Sequence, residues 1–413
     1  MDKNGTASVY SFRWSILSVI TLVMIALNIL QFQIAGLAGR LIPALHLQPS
    51  QFAMVLTAPM LTAALFGIPA GALADRFGVK SAVGIGLVIA TISSFGRIGA
   101  GSFGVLFAWM FTLGFGTAAI NANAAKILGA WFPRQQMGMA MGVYIAGANA
   151  GIAVAQATSA LFPTIGKAFM ASAVLMLIAL VLWLLFIKSK PAGIPDVPRH
   201  PVMEYLGVAA RSRYIWLGAA AMLFFMGSWV AQTGNLPNAL AQSKGISPVL
   251  AGLTASSLSL ALIVGTIVGP LLAQKLGLIR PLLAPTAILG AIGSYLAWIV
   301  PFGALTWTLL ILAGFFLGAA VPLIMSLPML LPELGPVYAG SAGGIISMFQ
   351  MVGAFVVPSY VIMLLAGSNV NQVFLYISVG YLLFGAVLLF IPELGLKARP
   401  ARSEDGLNPW SIT

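Results

Sequence analysis

Ionisable and amide side chains inside long apolar segments are the residues of this chain best suited to chemistry. Lys126 lies in such a segment, and Asn123 precedes it by three positions. Residues i and i+3 share one face of a helix, so the ammonium group and the amide would point the same way. Such a pair suits a small carboxylate or inorganic anion, held by charge-assisted hydrogen bonds. The alternative is that Lys126 snorkels to the lipid headgroups, as its long stem permits.

Uncharged polar residues in other apolar segments could bind a solute, or they could tie helices together. Besides Lys126 and Asn123, the candidates for substrate contact are Asn121, Gln33, Tyr144, Asn149, Trp229, Gln232 and Gln350. Asn121 is turned away from Lys126 by about 140° on a helix. Arg40 and Arg97, near segment ends, are expected to anchor at the membrane interface, with attraction of anions into the outer mouth as the alternative.

Acidic residues are absent from the middle of every apolar segment: Asp75, Glu333 and Glu393 all fall at segment ends. Intramembrane carboxylates usually carry coupled protons or bind cations. Their absence therefore favours exchange, facilitated diffusion or a proton that travels on the substrate, and it disfavours a pump for cationic drugs. There is no cysteine, and His46 and His200 have no ligand-spaced companions, so we expect no metal site and no cofactor. No nucleophile–base pair or phosphate loop indicates an enzyme.

The elements that must position these residues are membrane helices. Of the 413 residues 60% are hydrophobic and 7% charged, too few charges for a soluble surface. Continuous apolar runs of about 20 residues, without polar alternation, predict spanning helices and not a barrel. We predict an all-α membrane protein with twelve spans: 14–39, 51–74, 79–99, 104–130, 137–162, 168–187, 213–236, 248–273, 281–300, 305–331, 339–365 and 371–392.

A repeat of about 200 residues runs through the chain. The segments 71–80 and 271–280 each end one apolar run, and Gly78 to Gly277 is an offset of 277 − 78 = 199. Further glycine pairs repeat at offsets of 200 and 202: Gly114 with Gly314, Gly138 with Gly340, Gly142 with Gly344, and Gly151 with Gly353. A repeat in one direction predicts two six-helix bundles related as a parallel duplication. The predicted parts are bundles over 1–187 and 213–396, a cytoplasmic linker over 188–212 with a possible short helix at 202–210, and a cytoplasmic tail over 397–413.

The charge of +12, from 20 basic and 8 acidic residues, is distributed unevenly between the two membrane faces. With twelve spans, most lysines and arginines fall on the face that carries both termini. The positive-inside rule then places both termini in the cytoplasm. The charge therefore reflects membrane topology, and we expect no binding of nucleic acid.

Gly71 to Lys80 resembles the loop 2–3 motif of the major facilitator superfamily, and 271–280 resembles its degenerate copy in loop 8–9. The resemblance covers essentially the whole chain. It implies two bundles around a central cavity that work by alternating access. In such proteins the residue at the position of Asp75 braces a cytoplasmic gate, here near 339–344, and Glu333 is a candidate for the cluster of charges at that gate. Gln274 stands where the second motif would have its acid, which predicts that the brace in that half is weaker or is made by hydrogen bonds alone. The gating candidates are Asp75, Arg76, Gly78, Lys80, Arg134, Lys275, Gly277 and Arg280.

A shorter resemblance links Trp131 to Arg134 and the glycines that follow to small-anion carriers: the nitrate/nitrite, oxalate–formate and cyanate-type porters. Nitrate porters bind their anion with arginines in helices two and eight, whereas 51–70 and 248–273 hold no arginine or lysine, so nitrate is disfavoured. We therefore expect an inner-membrane antiporter or uniporter for a small anion, such as a monocarboxylate, that works as a monomer. A carrier of neutral or amphipathic solutes, and a receptor that does not transport, are the alternatives.

Overall fold

The computed structural model describes residues 3–188, 207–331 and 334–393, which fold into helices and connecting turns without strands. Twelve of the described helices are long and apolar enough to cross a bilayer, which confirms the predicted number of spans. We label the long helices α1 (Lys3–Gly36), α2 (Pro49–Phe77), α3 (Val79–Gly96), α4 (Phe103–Trp131), α5 (Arg134–Thr158), α6 (Ile165–Phe186), α7 (Arg213–Ser243), α8 (Pro248–Leu276), α9 (Arg280–Ile299), α10 (Ala304–Met325), α11 (Gly335–Val356) and α12 (Val370–Leu388).

Two helices end differently from the prediction. The predicted span 305–331 is split, because α10 ends at Met325 and a short helix, Leu327–Leu330, follows. Helix α11 continues through a wider π-helical segment, Val357–Ile362, into the short helix Met363–Ala366. Most of the predicted linker, including 202–206 of the possible short helix, and the predicted tail lie outside the described residues.

Local sequence explains where several helices begin and turn. The side chains of Ser102, Thr164 and Ser247 each accept a hydrogen bond from a backbone amide in the first turn of α4, α6 and α8. The two motif glycines, Gly78 and Gly277, connect α2 to α3 and α8 to α9 with φ angles of 84° and 69°. These angles favour glycine because it has no β-carbon, so the repeated glycine reflects a repeated turn.

The helices pack in the same pattern in both halves of the chain. Helix α2 packs along α4 and α1 along α5, as α8 packs along α10 and α7 along α11. A β-carbon at Gly114 would overlap Thr62 of α2, and one at Gly314 would overlap the Leu258 carbonyl of α8. The repeated glycines therefore mark equivalent helix crossings, where small residues allow close backbone approach.

The two halves meet through α5 with α8, α2 with α11, and α1 with α7. Since α1 begins and α12 ends on the same side of the twelve-helix array, we call that side the terminus side and the opposite one the far side. The prediction that the terminus side is cytoplasmic is untested by the fold.

Candidate substrate cavity and gates

The exposure of α1 changes along its length. Ser15 and Ser18, near the terminus side, are exposed, whereas Thr21 and Asn28 are partly buried. Every residue from Ile29 to Ala35 is buried. This change along a helix that packs against both halves indicates a cavity beside α1 that ends near Asn28.

Helix α7, the counterpart of α1 in the second half, shows the same change. Arg213 and Trp216 are exposed on the terminus side, and Leu223 and Met226 are partly buried farther along. Every residue from Gly227 to Gly234 is buried. The cavity between the halves is therefore open to the terminus side and closed toward the far side.

Polar contacts between the halves close the far side. Gln156 of α5 donates from Nε2 to the Thr233 carbonyl of α7 at 2.8 Å and accepts at Oε1 from Ser259 of α8 at 3.3 Å. The hydroxyls of Thr57 in α2 and Ser359 in the π-helical segment lie 2.9 Å apart. We call these five residues the far-side seal. All five are buried, so their hydrogen bonds form away from water.

Glycines bring the seal helices together. A β-carbon at Gly252 of α8 would overlap the Gln156 carbonyl, and one at Gly234 of α7 would overlap the Leu56 side chain. The far side is thus held by close backbone packing as well as by hydrogen bonds.

The equivalent glycines on the terminus side have no such neighbours. A β-carbon at Gly138 or Gly142 of α5, or at Gly343 or Gly344 of α11, would meet no atom of the described residues within 4 Å. Gly138, Gly142 and Gly344 are among the glycines that repeat between the two halves. In this conformation they border open space, so the terminus-side ends of α5 and α11 are apart.

Lys126 and Asn123 both reach the last third of α2. Lys126, which is exposed, donates to the Gly71 carbonyl at 3.3 Å, and buried Asn123 donates to the Ala70 carbonyl at 3.3 Å. Lys126 therefore lies toward the mouth of the cavity, where it tethers α4 to α2. A lysine near helix carbonyls also interacts favourably with the negative end of the helix dipole.

Asn121 and Tyr144 form a pair deeper in the membrane. The Tyr144 hydroxyl of α5 donates to Asn121 Oδ1 of α4 at 2.7 Å. Asn121 is exposed, as is Ala125 one turn nearer the mouth, which gives α4 an exposed stripe along the cavity. The pair leaves the Asn121 amide NH₂ as a donor at the cavity wall.

Gln33 lies outside the cavity, in a buried cluster with Arg97 and Ser172 that joins α1, α3 and α6. Arg97 donates from Nη2 to Gln33 Oε1 at 3.0 Å and to Ser172 Oγ at 2.8 Å. Gln33 in turn donates to the Ala168 carbonyl at 2.9 Å. The expected interfacial position of Arg97 is wrong, because its side chain is 0% exposed. We call Gln33, Arg97 and Ser172 the amino-terminal hub.

Gln232 forms the equivalent cluster in the second half, at an offset of 232 − 33 = 199 from Gln33. It donates to Ser294 Oγ of α9 at 2.6 Å and accepts from the Tyr381 hydroxyl of α12 at 2.9 Å. We call Gln232, Ser294 and Tyr381 the carboxy-terminal hub. This hub joins the helices equivalent to α1, α3 and α6 but contains no charge.

The remaining candidates for substrate contact have differing surroundings. Trp229 is buried and stacks on Phe225 at a centroid distance of 6.3 Å. Buried Asn149 donates to the Ile145 carbonyl of its own helix at 3.2 Å. Gln350 is partly buried in the middle of α11. Of the predicted candidates, Lys126 and Asn121 are the exposed ones.

The gating candidates lie around the terminus side. The side chains of Asp75 and Arg134, and residue Glu333, are outside the described part of the structure. Lys80 donates to the Leu184 carbonyl at 2.8 Å, while Arg76, Lys275 and Arg280 are exposed. In the second half, the carboxylate near the motif belongs to Glu393, whereas the motif position itself is Gln274. Glu393 accepts hydrogen bonds from the backbone amides of Ile279 and Arg280 at the start of α9, at 2.7 and 3.0 Å.

The model of the Major Facilitator Superfamily matches residues 6–358, which is most of the chain. The chain belongs to the Major Facilitator Superfamily. It is a multi-pass membrane transporter and not an enzyme.

Several curated relatives within the superfamily have names that state a substrate. The nitrite extrusion protein of Bacillus subtilis (strain 168) is 26% identical over 350 residues, covering 83% of this chain and 85% of the relative. The probable nitrate transporter NarT of Staphylococcus aureus (strain N315) is 26% identical over 360 residues, covering 82% and 85%. The probable nitrate/nitrite antiporter NarK1 of Thermus thermophilus is 27% identical over 207 residues, covering 45% and 44%.

A solved structure has the same fold. The crystal structure of a bacterial homologue of the human lysosomal transporter Spinster, inward-facing and unoccupied, aligns with a TM-score of 0.70 and 18% identity, covering 92% of this chain and 95% of that one. This likeness supports the twelve-helix superfamily fold.

Sequence reasoning missed two features of this superfamily member. The far-side seal rests on Gln156, Ser259 and Thr57, uncharged residues that nothing in the sequence distinguishes from other polar residues in apolar helices. The offset of 199 between Gln33 and Gln232 was a usable signal for the two hubs, since it matches the offset between the motif glycines.

Proposed function

We propose that this transporter moves a small monovalent anion by exchange or uniport. The anion carries a bent O–X–O group with two oxygens, as in nitrite or a monocarboxylate. The relatives named for nitrite and nitrate support an anion, and they cover most of the chain. A bent O–N–O or O–C–O group can accept hydrogen bonds from an ammonium group or an amide. Helix α4 offers one of each at two depths, Lys126 near the mouth and Asn121 farther in.

The observation that carries this proposal is the sign of the charges around the cavity. Lys126 is exposed beside the stripe that Asn121 and Ala125 form on α4, and no Asp or Glu occurs between residues 76 and 195 or between 205 and 332. An anion entering from the terminus side meets Lys126 first and the Asn121–Tyr144 pair deeper. Deeper than Lys126, the described parts of α1, α4 and α5 offer a cation no carboxylate.

The proposal favours two-oxygen anions over nitrate. Between Ala53 and Ala70 of α2, and between Gly252 and Leu272 of α8, the chain holds no arginine or lysine. Planar nitrate with three oxygens suits two forked guanidinium groups, and these helices cannot supply them.

Uptake into liposomes tests the proposal. Purified protein should exchange internal formate or nitrite for external labelled formate, and unlabelled nitrite should compete whereas glucose should not. Lys126→Ala removes a hydrogen bond to a charged group, worth about 1.5–3 kcal/mol, and should raise KM for formate by roughly 10–100-fold. Lys126→Arg keeps the charge and should stay within a few-fold of the parent.

Lys167→Ala is the matched control, since Lys167 is an exposed lysine at the far-side start of α6. It should leave KM unchanged. Glucose competition as strong as that of nitrite, or parent-like formate uptake by Lys126→Ala, would contradict the proposal and favour a carrier of neutral solutes.

A further inference from the structure

Arg97 is a buried cation whose partners are all uncharged. Its Nη1 donates to the Leu30 carbonyl at 2.5 Å and faces Met110 Sδ at 3.7 Å, while Nη2 binds Gln33 and Ser172. The guanidinium carbon lies 4.3 Å from the centroid of the Phe169 ring. Its Nε has no hydrogen-bond partner. The charge is therefore solvated by dipoles and a ring face, without a counterion.

No acidic residue in this half can neutralise Arg97. The nearest acid along the chain is Asp75, which precedes α3, whereas Arg97 follows α3. Helix α3 has 18 residues. A helix of that length is about 27 Å long, which is far too great a separation for an ion pair between residues at its two ends. The positive charge of Arg97 is thus uncompensated within its half.

Helix packing alone does not explain the charge. The carboxy-terminal hub joins the equivalent helices through Gln232, Ser294 and the neutral Tyr381 hydroxyl. A buried charge without an ionic partner is expensive, and a neutral hub performs the same structural task in the second half. The amino-terminal hub therefore retains a costly charge for which packing gives no reason.

The position of Arg97 relates the charge to the cavity. It binds the carbonyl of Leu30, and Leu30 is two residues beyond Asn28, where the cavity ends. Two residues rise by about 3 Å along a helix, so the guanidinium lies roughly half a turn behind the closed end along α1. No side chain with the opposite charge is available in the surrounding helices α1, α3, α4 and α6.

We propose that Arg97 is an electrostatic positioning residue, which makes the closed end of the cavity positive and so selects substrates by charge without touching them. This inference rests on the proposed function, since it presupposes an anionic substrate. At a separation of about 10 Å and an effective dielectric constant of about 20, one unit charge changes the affinity of a monovalent anion by roughly 15-fold. For a divalent anion the same potential acts on twice the charge, which squares the factor to roughly 200-fold.

The experiment compares neutral and charged substitutions in the full transporter. Arg97→Met and Arg97→Gln remove the charge, and Arg97→Lys keeps it. We expect KM for formate to rise about 15-fold in both neutral variants, with Vmax within about threefold of the parent. Arg97→Lys should recover most of the affinity. Inhibition of formate uptake by the oxalate dianion should weaken more than inhibition by acetate.

Tyr381→Phe is the control for lost hub packing, because it removes one hydrogen bond from the carboxy-terminal hub and changes no charge. It should lower the thermal midpoint without changing the ratio of oxalate to acetate inhibition. Equal effects of Arg97→Lys and Arg97→Gln on KM, or an unchanged oxalate-to-acetate ratio in both neutral variants, would overturn the role of Arg97. If the parent transports no anion, the proposed function itself fails, which is a separate outcome.

Discussion

The two ends of the interface between the halves use similar residues in opposite ways. On the far side, Gly252 lets α8 approach the α5 backbone, Gly234 leaves room for the Leu56 side chain, and buried Gln156 joins α5 to α7 and α8. On the terminus side, Gly142 and Gly344 have no neighbour within 4 Å. A glycine in a membrane helix therefore does not by itself determine whether the helix surface around it is in close contact with another helix. Which end is closed depends on the conformation, and the glycines allow either end to close.

The comparison implies that the glycines matter in different states. A larger residue at a packed glycine opposes the conformation described here, whereas one at an open glycine opposes the conformation in which the terminus side closes. Because the chain has no cysteine, one introduced cysteine can report which side is open. Asn28, at the closed end of the cavity, is a suitable position for that reporter.

The largest effect is expected from Gly252→Val. Its side chain would overlap the Gln156 carbonyl, and overpacking of this kind costs about 1–3 kcal/mol. With Asn28→Cys as reporter, a membrane-impermeant maleimide added on the far side should react roughly 5–100-fold faster than in the parent. Formate exchange should fall because the far side no longer closes fully.

Gly142→Val is the matched variant at the open end. It should leave far-side labelling of Asn28→Cys at or below the parent level, since no described atom lies within 4 Å of a β-carbon at this position. Equal far-side labelling in the two valine variants would show that the two ends are not distinct in solution.

The sequence predicts the structural repeat better than it predicts which side of the transporter is open. The spacing of Gly114 and Gly314 indicates equivalent crossings, and the structure confirms them at α4 with α2 and at α10 with α8. Neither composition nor spacing shows which glycine faces are in contact, because both conformations use the same sequence. Arg97 was wrongly expected at the interface, since a position near the end of an apolar run does not reveal that α1 and α6 cover it.

A smaller effect is expected from Gln156→Ala. The substitution leaves the Thr233 carbonyl and the Ser259 hydroxyl without this partner. A buried polar group without a partner costs about 1–3 kcal/mol, so far-side labelling of Asn28→Cys should rise roughly 5-fold or more, though less than with an overlapping side chain.

Thr158→Ala is the control for Gln156→Ala, since Thr158 lies two residues along α5 and bonds only to the Val154 carbonyl of its own helix. Its labelling should match the parent. If Gln156→Ala labels no faster than Thr158→Ala, the seal is held by close packing alone.

The smallest effect is expected at the hydroxyl pair of Thr57 and Ser359. Substituting one residue, as Thr57→Val or Ser359→Ala, leaves the other hydroxyl buried without its partner across the interface, and should raise far-side labelling about 2–10-fold. The double substitution removes both polar groups at once, which is nearly neutral when the shape is kept. We therefore expect the double variant to label more slowly than either single variant. Additive single effects would mean that the two hydroxyls act independently, and that the π-helical segment of α11 contributes only packing to the far-side seal.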